Sequence, residues 1–378
     1  MGFILSCIIL AFFILFHELG HFLVARLCGV KVEVFSIGFG KKIFTFTYRG
    51  TQYAISAIPL GGYVQLKGQQ EAFTQATQPK KESTNKGIIH SHSTEDLQAM
   101  RHSTLAPADS YLAKSPIQRI AILLAGSFFN ILLGFLLYLY VCLHGLESVP
   151  PIVGEVLDST PAQEARIIAG DRILAINGVE VRTWDELSKR VQDSKGEITL
   201  NVQRDLDRMD IILTPHVMQS RNIFGEVIEH NAIGILATQQ TQIIRYTGLQ
   251  AITKAWEKTI EASRFIMQSL QKLLSGVVGV QNVSSIVGIT HTMSAVAQSD
   301  MIAFLTLSAL ISINLGIFNL LPIPPLDGGH ILLTLYQAIM RRPLHISIIN
   351  GIVAVGLALL LGIMALGIFN DINRIIAP

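Results

Sequence analysis

The sequence predicts a polytopic α-helical membrane protein with about four transmembrane helices. A membrane-associated β element follows the first helix, and a small α+β domain lies outside the cytoplasm. Half of the 378 residues are hydrophobic and only 15% are charged, which is too apolar for a water-soluble globule. Four stretches, residues 3–24, 117–143, 301–321 and 346–369, approach or exceed the ~20 mostly apolar residues that a bilayer span requires. Between the second and third spans, the turn signals and alternation of a small domain replace continuous apolarity. The net charge of +2 comes with no basic stripe interleaved with aromatics, so a bilayer is the expected environment and no nucleic-acid partner is expected.

Basic residues orient the spans. None precedes the first apolar run, so the basic n-region of a cleavable signal peptide is missing. Arg26, Lys31, Lys41 and Lys42 follow that run, Lys114 and Arg119 flank the start of the second span, and Arg341 and Arg342 separate the third from the fourth. The positive-inside rule places all of these in the cytoplasm. Both termini and residues 144–300 are then extracytoplasmic. The three cysteines, Cys7, Cys28 and Cys142, form no CxxC and are odd in number, so neither a disulfide framework nor a cysteine metal site is expected.

Residues 1–68 combine the first span with the β element. Within the span stands His17-Glu18-Leu19-Gly20-His21, and Glu18 is the only formally charged side chain of residues 3–24. A charge at bilayer depth costs roughly 2.5–3.5 kcal/mol on insertion scales. A metal ion would compensate it. Residues four apart share a helix face, so His17 and His21 can offer two imidazole nitrogens to one Zn²⁺, with Glu18 beside them as general base. The competing reading is a satisfied polar cluster between helices. Residues 32–37, 42–48, 52–58 and 63–66 alternate and are rich in Val, Ile, Phe and Thr, with Gly38, Gly40, Pro59 and Gly61-Gly62 between them, which predicts hairpins. Residues 69–115 read as a flexible cytoplasmic loop, in which His90, His92 and His102 are solvated rather than metal-bound.

Residues 116–145 supply the second span, which contains Gly126 and Asn130. Residues 149–215 form the small domain. Residues 152–156 are strand-like, and residues 162–165 form a short helix capped by Ser159 or Thr160. A strand follows and ends at the turn Asn177-Gly178. Residues 184–191 are an amphipathic helix, and residues 198–203 and 209–213 a hairpin. Residues 216–300 are an extracytoplasmic region whose stretch 245–274 has helical period, lying at the membrane surface or packed on the domain before it.

Residues 301–378 hold the last two spans. Between them, Pro322, Pro324, Pro325, Gly328 and Gly329 must break the helix. A catalytic Zn²⁺ takes three protein ligands and keeps one position open. Glu33, Asp327, His330, His345 and Asp371 are candidates for the third. Asp327 is favoured because it ends an otherwise apolar stretch, where an idle carboxylate is costly; its alternative is a helix N-cap. Asn130 and Asn319 are amides in or beside spans, able to donate to a developing oxyanion or to bond helices together.

These residues resemble the site-2 protease family, in particular the bacterial regulator of sigma-E protease (RseP) type. The resemblance rests on His17-Glu18-Leu19-Gly20-His21, on Gly61-Gly62-Tyr63-Val64, on the stretch from Ser115 to Asn130, and on blocks 154–181 and 319–329, in the same order over most of the chain. It implies one zinc ion per chain held by His17, His21 and Asp327, and Glu18 as the catalytic acid/base. It implies that Gly61, Gly62, Tyr63 and Val64 belong to a β element holding the unwound substrate strand, and that Asn130 contacts substrate or transition state. It also implies that residues 149–215 are a single PDZ-like domain. Two positions depart from the family pattern: Ser127 stands where Pro is usual after Ala-Gly, and Arg166-Ile167 where Gly-Leu is usual after Ala165.

The expected function is therefore that of an intramembrane zinc metalloprotease of the bacterial inner membrane. Its substrates would be single-pass proteins, such as an anti-sigma factor, or remnant signal peptides. The rival readings are a catalytically idle membrane scaffold whose PDZ-like domain binds partners, and a metal transporter using the histidines as a transit site.

Overall fold

The computed structural model describes residues 2–69, 107–341 and 344–376. Most of the expected cytoplasmic loop, with His90, His92 and His102, lies outside these residues.

The chain opens with helix α1 (Gly2–Leu27), which ends where Gly29 adopts φ 70° and Val30 N–H donates to Ala25 O at 2.9 Å, a left-handed C-terminal stop. Strands β1 (Val32–Tyr48) and β2 (Thr51–Leu66) follow, joined by Arg49-Gly50, both at positive φ, as a tight hairpin turn requires. Each strand bends back on itself. Residues 32–37 pair with 62–66 on one side and with 52–55 on the other, and residues 42–48 pair with 51–56. The result is a four-segment sheet in which residues 32–37 and 52–55 run parallel and each pairs antiparallel with its outer neighbour, leaving residues 62–66 on one edge. The expected hairpin segments are all present within it.

Helix α2 (Pro116–His144) begins with proline at its first position, where a missing N–H costs nothing. Short strands β3 (Leu146–Ser148) and β4 (Val153–Val156), helix α3 (Pro161–Glu164), strands β5 (Arg172–Ile176) and β6 (Val179–Glu180) and helix α4 (Trp184–Gln192) come next. Strands β7 (Ile198–Arg204), β8 (Asp207–Leu213), β9 (His216–Arg221), β10 (Val227–Ala232), β11 (Ile235–Ala237) and β12 (Gln242–Ile244) follow. The chain closes with helices α5 (Gly248–Leu274), α6 (Ile286–Ser299), α7 (Met301–Asn319), α8 (Asp327–Met340) and α9 (Ile346–Ile376). Among the described residues, α1, α2, α7 and most of α9 are long and apolar enough to cross a membrane.

Two compact units emerge. The first comprises residues 1–138, 256–268 and 280–378. In it α1 and α2 approach closely at Gly20, where an added Cβ would stand 2.8 Å from the carbonyl carbon of Ala125. Ser312 of α7 donates to the Asn130 carbonyl of α2 at 2.8 Å. Phe13, Leu133, Met293 and Phe304 fill the space between α1, α2, α6 and α7. Near the end of α9, the buried Asp371 carboxylate accepts from Ser285 N–H (2.7 Å), Ser285 Oγ (2.6 Å) and Gly288 N–H (3.0 Å), holding the start of α6.

The second unit comprises residues 139–255 and 269–279. Its four-stranded sheet runs in the order β6-β5-β7-β8, and α4 covers it through Leu187 and Val191. Asn177 and Gly178 both take positive φ, as the expected turn demands. Thr160 holds the N-cap position of α3 as expected, but its hydroxyl donates to Leu157 O and makes no cap bond to the helix. A second difference concerns the boundary expected at Pro215. Ile233 is 2% exposed in the same core as Ile173 and Leu200, and β11 pairs with β4. The unit therefore runs beyond residue 215, because β11 pairs with β4 and β12 with β3.

Candidate metal centre

The site lies within the first unit and is built on two helix faces with the same spacing. His17 and His21 are one turn apart on α1, and Ile122, Gly126 and Asn130 are successive four-residue steps on α2. Residues at this spacing stack on one face. His21 Nδ1 donates to the Ile122 carbonyl at 2.7 Å, and His17 Nδ1 lies 3.3 Å from Asn130 Nδ2. The two faces thus run antiparallel, with Gly126 between the rings.

Helix α7 ends at Asn319, and the Pro-rich stretch turns the chain so that Asp327 is the first residue of α8. The N-cap position is held by Leu326, so the capping alternative for Asp327 does not describe this helix. Its Oδ2 lies 3.1 Å from His17 Nε2 and 3.3 Å from His21 Nε2, and the two Nε2 atoms are 3.2 Å apart. Zinc bonds of about 2.0–2.1 Å at tetrahedral angles put neighbouring ligand atoms about 3.3 Å apart, so this triangle has the size of one face of a zinc tetrahedron. The donor chemistry agrees. His21 spends its Nδ1 proton on the Ile122 carbonyl, which leaves a lone pair on Nε2 if the ring is neutral. Asp327 Oδ2 is buried with no hydrogen bond among the described residues. Electron-rich atoms gathered this way repel one another unless a cation joins them. Among the described residues, His17, His21 and Asp327 form the group of metal-capable side chains within reach of one ion.

The other candidates separate from this triangle. Glu33 accepts from Gln65 Nε2 at 3.0 Å, and Asp371 holds the start of α6. Glu18 is half-buried on α1, beside β2; a Cβ added at Gly62 would lie 3.3 Å from its Cγ. Gly62, Tyr63 and Val64 thus run along the edge segment next to the carboxylate, and Gly61 directly precedes it. Asn319 is half-buried with Nδ2 at 3.5 Å from His17 Nε2, on the side facing Asp327. Asn130, by contrast, is fully buried and meets the opposite edge of the ring. Gly126 was not among the residues expected at the site. Its signal is the four-residue step from Ile122 to Gly126 to Asn130, which matches the step from His17 to His21.

Comparison with known proteins gives the chain a family. The profile of peptidase family M50 matches residues 5–363. The chain is 39% identical over 374 residues to Cj1068 of Campylobacter jejuni, named as a zinc metalloprotease, covering 99% of this chain and 94% of that protein. A Helicobacter pylori strain J99 protein named in the same way is 39% identical over 378 residues, covering 99% of this chain and all of its own length. Metalloprotease MmpA of Caulobacter vibrioides is 30% identical over 381 residues, covering 95% of this chain and 92% of its own.

Proposed function

The chain belongs to peptidase family M50, the site-2 zinc metalloproteases, and from that premise we propose that it hydrolyses a peptide bond inside the membrane-spanning segment of single-pass proteins. The observation that carries the reading is the triangle of His17, His21 and Asp327, two of whose members stand on α1, a helix apolar enough to cross a bilayer. His17, His21 and Asp327 would hold the zinc ion. Zinc supplies Lewis acidity at a carbonyl and lowers the pKa of a water to about 7.

The protein's own groups do the rest. Glu18 takes the proton of the attacking water and passes it to the leaving amide nitrogen. Asn319, on the metal side of His17, donates toward the oxygen on which charge develops. A transmembrane helix hides its carbonyls in internal hydrogen bonds and must unwind before attack. The edge segment 62–66 is at hand to receive the freed strand by backbone pairing, through Gly61, Gly62, Tyr63 and Val64 beside Glu18.

The second unit is assigned to the extracytoplasmic side as a PDZ-like domain of the RseP type, restricting access of substrates with large outer domains. The order of its elements supports this, as does a groove of about 210 Å³ lined by Trp184, Leu187, Val191, Ile233 and Ile235. Both termini are assigned to the extracytoplasmic side of a bacterial inner membrane by the distribution of Lys and Arg. The substrates are then trimmed single-pass proteins, an anti-sigma factor or remnant signal peptides.

The test is co-expression of a tagged single-pass substrate with the wild type, Glu18→Gln and Asp327→Asn, with metal analysis of each purified protein. Cleavage by the wild type alone is expected, with zinc kept by Glu18→Gln and weakened in Asp327→Asn. Cleavage surviving in Glu18→Gln would remove Glu18 from the mechanism. Bound zinc without cleavage across several substrates would favour an idle scaffold.

A further inference from the structure

The resemblance implies that Asn130 contacts substrate or transition state; its position beside His17 points to a task at the metal site. The side chain is fully buried, and Oδ1 has no hydrogen-bond partner among the described residues. Sealed in this way, the amide presents no atom at the surface. What it does reach is His17 Nδ1, at 3.3 Å, on the edge of the ring away from Asp327. Its backbone is fixed in place by the bond from Ser312.

The tautomer required of His17 decides what the amide must do. To hold a metal through Nε2, the ring needs its lone pair there and its proton on Nδ1. The Nδ1–H then needs an acceptor, since a buried donor left unpaired loses its bond to water with nothing in exchange. With its nitrogen turned inward, Asn130 offers a donor to a donor and leaves Oδ1 orphaned. A half-turn about Cβ–Cγ brings Oδ1 to Nδ1–H and removes both faults. Metal-binding histidines commonly have the second ring nitrogen tied in this way, and His21 already follows the pattern through the Ile122 carbonyl. We infer that Asn130 is a positioning residue whose carbonyl oxygen accepts from His17 Nδ1–H, fixing the ring's tautomer and aiming Nε2 at the metal. The two asparagines are thereby sorted, Asn130 behind the ring and Asn319 in front of it.

The inference rests on His17 being a zinc ligand, and the test separates the two claims. Zinc affinity of the full-length protein in detergent is measured by chelator competition for the wild type, Asn130→Ala and Asn130→Asp. The visible spectrum of the Co²⁺-substituted forms is recorded in parallel. Removing an outer partner of a metal ligand typically costs roughly 10–100-fold in affinity, and that loss is expected for Asn130→Ala, with a shifted Co²⁺ spectrum. Asn130→Asp keeps an acceptor and has no N–H, so it should hold zinc within a few-fold of wild type, keep the Co²⁺ spectrum and retain cleavage. Metal-free wild type and Asn130→Ala should melt alike, which separates lost ligation from lost folding.

If Asn130→Ala binds zinc like the wild type while both variants lose cleavage, the amide acts as a donor to substrate and the inference is wrong. Equal loss of zinc in Asn130→Asp and Asn130→Ala would also overturn it, because an acceptor would then not suffice. A wild type that binds no zinc would overturn the ligand assignment itself.

Discussion

A Cβ built on Gly126 would stand 2.8 Å from His17 Nε2, so the absence of a side chain on α2 keeps open the ground in front of both imidazoles. Gly126→Ala should therefore lose zinc before it loses fold. Overpacking typically costs about 1–3 kcal/mol, equivalent to roughly a five- to hundredfold loss in zinc affinity. Gly362→Ala, which meets nothing within 4 Å, is the control. Unchanged zinc per chain in Gly126→Ala after dialysis against a chelator would refute this account of the site.

The second unit should weaken in acid. Asp171 is fully buried and accepts from Arg204 Nε (2.8 Å), Arg204 Nη2 (2.7 Å) and Ile168 N–H (3.0 Å). Burial alone would raise its carboxyl, but the Arg204 bonds and the Ile168 N–H outweigh burial and hold it below the ordinary carboxylate range. A depressed folded value contributes stability that is fully present above the unfolded value of about 3.9. That contribution is lost as pH falls through the lower folded value. Arg204→Met leaves a buried carboxylate unpaired, which typically costs about 3–5 kcal/mol. Thermal unfolding followed by Trp184 fluorescence in a Trp256→Phe background measures both effects. An acid-side slope that is the same with and without Arg204 would contradict the assignment.

Ile233 tests where the second unit ends. It is 2% exposed in the same core as Leu187 and Leu200, so Ile233→Ala should destabilise the unit by about 2–5 kcal/mol. Val217, 66% exposed on the β9–β10 hairpin just before it, should tolerate Ala with a change within about 0.5 kcal/mol. Were the domain complete at residue 215, neither substitution would shift the Trp184 transition.

Asp371 ties the end of α9 to the start of α6 through Ser285 and Gly288. Asp371→Ala strands buried donors that the carboxylate satisfied, and faster hydrogen exchange is expected over residues 285–288. Asp371→Asn keeps one acceptor and should fall between. Exchange in Asp371→Ala indistinguishable from wild type would mean that other contacts hold this junction.

Much of this protein was legible in the sequence because the signals are local. Continuous apolarity marks α1, α2, α7 and α9, since a span must satisfy its backbone internally and present apolar side chains throughout. The pair His17 and His21 is visible because four residues make one helical turn. The hairpin segments are visible because strand alternation has period two and Gly38 and Gly40 allow a bend between the first two. The cost of an idle carboxylate singled out Asp327, and the resemblance joined it to His17 and His21, but the geometry across the chain was not legible. No local pattern says that Asp327 closes a triangle with His17 and His21, that β11 completes a domain begun at β4, or that Asn130 turns toward His17 while Asn319 faces its other side. Those facts depend on which helix faces meet and in which direction. That is set by close approaches such as Gly20 on Ala125 and by the bond from Ser312 to Asn130, which exist only once the helices have packed.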